Sequence, residues 1–121
     1  MKLVRPRCST RPADSTTIEL LEDPANELLF SVASMWEIAI KRALGRPDFQ
    51  LDPAALRQGL LDNGYQELLI TSQHALSTEM LPQIHKDPFD RLLLAQATME
   101  QAILLTADSL ILKYPGPVLG V

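Results

Sequence analysis

Two short runs of nearly unbroken apolar residues most constrain the fold: 67–70 (ELLI) and 102–105 (AILL). Neither run alternates apolar and polar residues, so each is typical of a strand buried on both faces. Helical patterns lie between them. Strands that alternate with helices favour parallel pairing and a sheet covered on both sides. We therefore predict an α/β fold: a three-layer α/β/α sandwich with a mostly parallel central sheet.

The same patterns predict the other elements and their ends. We expect strands over 27–32, 66–70, 102–106 and 118–121, and helices over 16–22, 34–44, 53–63, 72–80, 89–101 and 109–114. Asp52 and Pro53 are typical of a helix N-cap and first turn. Gly45 and Gly64 suit the positions just past helix ends.

The first seventeen residues differ from the rest of the chain. They have no clear period, and Pro6 and Pro12 forbid a continuous helix. Their basic, acid-poor composition also suits an organelle transit peptide, but the prolines disrupt an amphipathic helix. We predict an irregular basic segment over 1–17 and one domain over 18–121.

Composition narrows the class of protein. The 121 residues, 46% of them apolar, suit one soluble globular domain. Cys8 is the single cysteine, which excludes an internal disulfide and a cysteine-ligated zinc site. No apolar run has the length of a membrane span or follows the basic start as in a signal peptide. We expect a protein of the reducing cytoplasm, without membrane association.

Charge is unevenly distributed along the chain. The net charge is −4, yet residues 1–12 hold four cations and no acid, which leaves seven cations against fifteen acids over 13–121. This argues against a basic protein that coats nucleic acid. An enzyme acting on nucleic acid remains possible, because carboxylates that recruit a divalent cation make such a domain acidic.

Glu37 lies in the helix that comes after the first clear strand. Ser34, Glu37 and Lys41 form a narrow polar stripe on an otherwise apolar helix. A structural interpretation is also available: Ser34 and Glu37 fit a capping box, and Glu37 with Lys41 fits a favourable i,i+4 ion pair.

Asp90 and Asp108 also lie at a helix start and a strand end. Asp87 and Pro88 are typical of the N-cap and first residue of the 89–101 helix, so Asp90 falls in its first turn. Asp108 comes after the AILLT strand and could cap the last helix. For Asp90 and Asp108 the capping and functional interpretations both stay open.

These three carboxylates would converge if their strands are neighbours, because sites of such sheets lie at the carboxyl ends of strands. Two carboxylates about 5 Å apart repel by roughly 3 kcal/mol at an effective dielectric near 20. A hard cation, Mg²⁺ or Mn²⁺, relieves that repulsion and favours phosphodiester cleavage by activated water. Thr106, Lys41 and Arg91 are weaker candidates for substrate contacts. The two histidines are too few for a metal site without the acids.

Three segments resemble a known family: SVASMWEIAIKRALGR, HKDPFDRLLLAQA and LLTADSLILKY with its closing VLGV. In order and spacing they are similar to PIN-domain ribonucleases, in particular VapC toxins of bacterial toxin–antitoxin pairs. The resemblance implies four acids around Mg²⁺ or Mn²⁺, RNA as substrate, a cognate antitoxin that occupies the site, and a homodimer as the family habit. It assigns Glu37, Asp90 and Asp108 as the second, third and fourth acids.

The first acid of the family is missing from its expected place, so the 1–17 segment is atypical for the family. Arg5 stands about where an aspartate should end the first strand, and the nearest acid, Asp14, comes after no strand. We expect the first strand to be atypical or missing, and an altered start of the sequence would explain both. Loss of one ligand should impair catalysis. The alternative function is an inactive relative that binds the antitoxin.

Overall fold

The computed structural model describes residues 2–6, 17–48 and 50–120. The strands are β1 (Lys2–Pro6), β2 (Asn26–Ser31), β3 (Gln66–Leu68), β4 (Ile103–Thr106) and β5 (Val118–Gly120). The α-helices are α1 (Thr17–Glu22), α2 (Val32–Ala43), α3 (Pro53–Asp62), α4 (Ser72–Ser77) and α5 (Pro88–Met99), with short 3₁₀ turns at Thr78–Met80 and Ile111–Lys113. None of the helices in these ranges has both the length and the apolar character that a membrane crossing needs.

The described strands form one five-stranded sheet in the order β3-β2-β1-β4-β5. β2 pairs with β3 in parallel, and β4 pairs with β5 in parallel. β1 lies between these two pairs and runs antiparallel to both neighbours. Four strands therefore share one direction, and helices flank the sheet. The predicted α/β/α fold is confirmed, with β1 as the strand of opposite direction.

β1 corrects the prediction of an irregular start. Residues 2–6 form the central strand, in which Leu3 and Val4 are fully buried. The sequence pattern missed it because Arg5 and Pro6 interrupt a very short apolar run, whereas pairing on both sides stabilises the strand. Pro6 is tolerated because it stands at the strand end. Residues 7–16 of the predicted irregular segment, with Cys8 and Asp14, lie outside the described residues, and Thr17 begins α1.

Each face of the sheet carries its own core. Leu3, Leu29 and Leu104 lie on one face and pack with buried residues of α5. Val4 lies on the other face, in a smaller cluster with Leu20 of α1 and with further residues of β4. Since successive strand residues point to opposite faces, Leu3 and Val4 anchor the two cores from adjacent positions.

Ser31 joins β2 directly to α2. It is fully buried, and its Oγ accepts a hydrogen bond from the Ala33 N–H at 3.0 Å. The same hydroxyl donates to Gln96 Oε1 of α5 at 2.5 Å. The predicted cap at Ser34 is therefore wrong, because α2 begins at Val32 and Ser34 is its third residue. Each serine comes after an apolar residue, so the local sequence does not show which of them is the N-cap. The contact of Ser31 with Gln96, which is distant in sequence, favours Ser31.

The other predicted helix ends agree more closely. Asp52 caps α3 through the Ala54 N–H, and Pro53 opens the helix. Gly45 and Gly64 adopt φ angles of 74° and 85°, the left-handed conformation that favours glycine. The predicted strand over 66–70 is shorter than expected, the predicted 72–80 helix ends as a 3₁₀ turn, and the last predicted helical turn is a 3₁₀ turn.

Replacing Ser31 with alanine should destabilise the protein by about 2 kcal/mol or more. The change removes the cap of α2 and leaves buried Gln96 Oε1 without its donor. Urea unfolding measures the effect. The matched control is Ser34→Ala, which should stay within about 0.5 kcal/mol of wild type because alanine suits a helix interior. A larger effect at Ser34 than at Ser31 would contradict this assignment of the cap.

Candidate active site

The candidate site lies where β2 and β4 end and where α2 and α5 begin. Asp108 comes after β4, Asp90 is in the first turn of α5, and Glu37 is in the second turn of α2. The starts of these two helices are in contact, since the Trp36 and Phe89 rings meet edge to face with centroids 5.1 Å apart. The fold thus brings together the strand ends that the sequence analysis selected.

His85, Asp90 and Asp108 form the closest cluster of possible metal ligands among the described residues. His85 Nε2 lies 2.9 Å from Asp90 Oδ2 and 3.4 Å from Asp108 Oδ2. One donor atom from each of the three side chains lies within 4.8 Å of the others. Two carboxylate oxygens and an imidazole nitrogen suit a divalent cation of the Mn²⁺ type as well as other first-row metals.

The His85 nitrogen is an unusual feature of this cluster. Nε2 is buried and makes no hydrogen bond of acceptable geometry, although two carboxylates are close to it. The other ring nitrogen, Nδ1, accepts a long hydrogen bond of 3.4 Å from the Asp87 N–H. A buried polar atom without a partner is rare in folded proteins. These residues therefore fit a bound cation, with His85 as a nitrogen ligand if the imidazole proton moves to Nδ1.

Asp90 carries the electrostatic strain of the site. Only 7% of the residue is exposed. Burial, together with the smaller effects of the negative charges of Asp87, Glu37 and Asp108, raises the pKa of Asp90 to about 6, against an opposing effect of His85. A raised pKa produced by burial and neighbouring carboxylates is a common property of functional sites.

Glu37 contributes charge to the site but is not one of the clustered donors. Its Oε2 accepts a hydrogen bond from Lys41 Nζ at 2.9 Å, so the predicted i,i+4 ion pair is confirmed. The carboxylate nevertheless raises the pKa of Asp90. The substrate contact proposed for Lys41 would require this ion pair to open.

The contacts of Asp87 and Asp108 show which of the two acids serves only as a helix cap. Asp87 Oδ1 accepts from the Phe89 and Asp90 N–H groups, as predicted for the N-cap of α5. Asp108 does both: its Oδ1 accepts from the Leu110 N–H at 2.8 Å, while its Oδ2 faces His85. One oxygen of Asp108 holds the local backbone, and the other stays directed at the cluster.

Thr106 and Arg91 have structural partners. Thr106 is buried, and its Oγ1 accepts from the Asp108 N–H at 3.0 Å, which orients the loop after β4. Arg91 donates to the carbonyls of Thr78, Pro82 and His85 and to the Tyr114 hydroxyl. Both polar groups are therefore engaged within the chain, and the substrate contacts predicted for them stay predictions.

Arg5 stands where the family's first acid is expected in the sequence, but it does not lie at the candidate site. Because β1 runs antiparallel, Arg5 pairs in register with Glu27 near the start of β2, at the opposite edge of the sheet. Its guanidinium forms ion pairs with Glu27 and Glu100. Arg5 is therefore a structural residue of the far edge.

His85 is the site residue that sequence reasoning missed. A histidine five positions before Asp90 is too far to be read as a helical neighbour, and the loop between them cannot be resolved from periodicity. The available signal was the position of His85 immediately before the Asp87-Pro88 helix start, because a residue there lies close to the first turn.

The comparisons with known proteins identify one family. The family model described as PIN domain matches residues 3–117. The match begins within β1 and ends just before β5, so it contains every residue of the candidate site. No curated protein matches the chain, and no solved structure matches it.

Asp90→Asn should stabilise the metal-free protein at neutral pH. Because the pKa of folded Asp90 is about 6 and the ordinary value is 3.8, the folded protein binds this proton more tightly than the unfolded chain. The stability that this group contributes is therefore complete below about pH 4 and is lost as the pH rises through 6. The asparagine variant should exceed wild type by on the order of 3 kcal/mol at pH 7.

Urea unfolding in EDTA at several pH values measures this difference. The gap between the two proteins should close below about pH 4, where wild-type Asp90 is protonated in both states. A variant less stable than wild type at pH 7 would show that the carboxylate serves mainly as a structural partner.

Proposed function

The chain belongs to the PIN-domain family, and we propose that it is a metal-dependent endoribonuclease, the VapC-type toxin of a toxin–antitoxin pair. PIN domains are generally metal-dependent nucleases. The observation that carries the proposal is the cluster of His85, Asp90 and Asp108, with donor atoms within 4.8 Å and a raised Asp90 pKa. Unrelieved repulsion of this kind is the expected state of a cation site without its cation.

Asp90, Asp108 and His85 would hold the cation, and Glu37 would add negative charge beside it. When bound, Mg²⁺ or Mn²⁺ would stabilise the charge that develops on a phosphodiester and lower the pKa of the attacking water. The chain's own residues orient the site: Thr106 fixes the Asp108 loop, and Asp87 fixes the first turn of α5. Because Asp90 is buried, its carboxylate interacts more strongly with a cation than an exposed carboxylate would.

The absence of the first family acid bears on the rate of this reaction. Without a carboxylate from β1, the cluster offers fewer anionic donors than the four-acid site that the family resemblance implies. The nitrogen of His85 is the donor nearest to the remaining acids. We expect weaker cation binding and slower cleavage than a complete site would give.

An antitoxin partner is the second part of the proposal. Three exposed apolar residues recur every four positions: Trp36 and Ile40 in α2, and Leu44 at its C-cap. Such a stripe suits an apolar segment of a partner protein that covers the site edge. The stripe also supports the alternative function, an inactive relative that only binds the antitoxin. The proposal also includes a homodimer, which the family resemblance implies. It includes a cytoplasmic location, which the single cysteine favours.

Mn²⁺ should stabilise the folded protein and support RNA cleavage. A ligand that binds only the folded state adds about 2.7 kcal/mol at 100 times its dissociation constant, or a rise in Tm on the order of 10 °C. Differential scanning fluorimetry measures the shift, and a parallel assay compares RNA cleavage with and without Mn²⁺. Asp90→Asn and Asp108→Asn should remove both effects, His85→Gln should weaken both, and Glu37→Gln should slow cleavage.

Asp87→Asn is the matched control for these variants, since asparagine keeps the N-cap of α5 and Asp87 is not assigned as a ligand. It should retain the Tm shift. A melting curve that Mn²⁺ leaves unmoved up to about 10 mM, beyond the weak end of known hard-cation sites, would refute the metal site. Mn²⁺ binding without RNA cleavage would favour the inactive relative.

A further inference from the structure

The indole of Trp36 is fixed beside the candidate active site and is more than half exposed. Trp36 immediately precedes Glu37 in α2, and Phe89 immediately precedes Asp90 in α5. The two rings meet at 76° with centroids 5.1 Å apart, an edge-to-face arrangement that holds aromatic rings in place. Even with this contact, 57% of Trp36 stays exposed. An exposed aromatic ring, held by its contact with Phe89, therefore lies near the starts of the two helices that carry Glu37 and Asp90.

The charges around the site make this aromatic surface important for an RNA substrate. Lys41, Arg42 and Arg91 are the cationic residues of α2 and α5. Lys41 pairs with Glu37, Arg42 pairs with Asp52, and Arg91 donates to backbone carbonyls. These helices thus offer little uncompensated positive charge to RNA phosphates, while the carboxylates repel them. Lys86, between His85 and Asp87 in the chain, is exposed and adds one cation near the site. A contact that does not depend on charge would add to the affinity that these cations supply.

We propose that Trp36 is a stacking platform for an unpaired base of the RNA next to the cleaved phosphodiester. The proposal rests on the proposed ribonuclease function. Stacking on an aromatic ring needs no charge and accepts any base. Because Trp36 packs on Phe89, the residue before Asp90, a base stacked on the indole would lie near the cluster that cleaves the chain. Trp36 is then a positioning residue for single-stranded RNA.

A partner protein on the same surface would make a different set of contacts. An apolar helix or strand from a partner would cover Ile40 and Leu44 together with Trp36, because the three residues lie along one side of α2. A single stacked base would need only the indole ring. Ile40→Ala is therefore the matched control, one helical turn from Trp36 on the same stripe.

The first experiment monitors RNA binding through the protein itself. Trp36 is the single tryptophan of the chain, so its fluorescence reports on this position alone. Single-stranded RNA of about eight nucleotides, a length within the range of known single-strand sites, is titrated into wild type in EDTA and in Mg²⁺. Stacking should quench the indole to saturation. Labelled RNA gives the dissociation constants of the variants by anisotropy.

Trp36→Leu should weaken RNA binding about tenfold, in the range of losses seen when a stacking aromatic is removed. Trp36→Phe should retain most of the affinity because it keeps a ring, and Ile40→Ala should stay within about twofold of wild type. In the cleavage assay with Mn²⁺, Trp36→Leu should raise KM by a similar factor with little change in kcat, which is the pattern of a lost binding contact. Circular dichroism checks that each variant is folded.

The possible failures of the two proposals differ. An indole that RNA leaves unquenched, or a Trp36→Leu affinity within about twofold of wild type, would overturn the stacking proposal while Mn²⁺-dependent cleavage left the ribonuclease function standing. Equal losses in Trp36→Leu and Ile40→Ala would also overturn it, in favour of a general apolar surface. A folded wild type that neither binds nor cleaves RNA would refute the proposed function and the stacking role together.

Discussion

The antiparallel pairing of β1 with β2 and β4 holds the described sheet together. β2 and β3 form one parallel pair and β4 and β5 form another, and β1 is the strand that joins them. The candidate site draws on both halves: α2 extends from β2, whereas Asp108 comes after β4. Because β1 lies between β2 and β4, it sets the spacing between the strand that leads to Glu37 and the strand that leads to Asp108. A five-residue strand with two fully buried side chains therefore positions the candidate site without contributing a side chain to its cluster.

Local sequence signals predicted much of the fold because they depend on neighbouring residues alone. Helices begin as predicted at the N-caps Asp52 and Asp87, because an N-cap needs only a short polar side chain. Helices end as predicted before Gly45 and Gly64, because these positions need only a left-handed backbone. β1 was missed because its stability comes from partners distant in sequence. Local pattern carries little information about a strand that is short, interrupted by Arg5 and buried by tertiary pairing.

The site could be predicted in outline but not in its details. Asp90 and Asp108 lie close together, as predicted, because strand ends and helix starts meet on one side of an α/β sheet. Which of them converge depended on side-chain partners that no spacing reveals: Lys41 engages Glu37, and an imidazole from the preceding loop approaches Asp90 and Asp108. Ser31 rather than Ser34 caps α2 for a similar reason, since its hydroxyl also binds Gln96.

Arg91 restrains the loop that carries His85. Its guanidinium ties the carbonyls of Thr78, Pro82 and His85 to α5, and the Tyr114 hydroxyl accepts from the His85 N–H as well. The loop that carries His85 is thus held to the same helix that carries Asp90. Because these bonds restrain the backbone that carries the imidazole, a ligand that meets both side chains removes less conformational entropy than it would from a free loop.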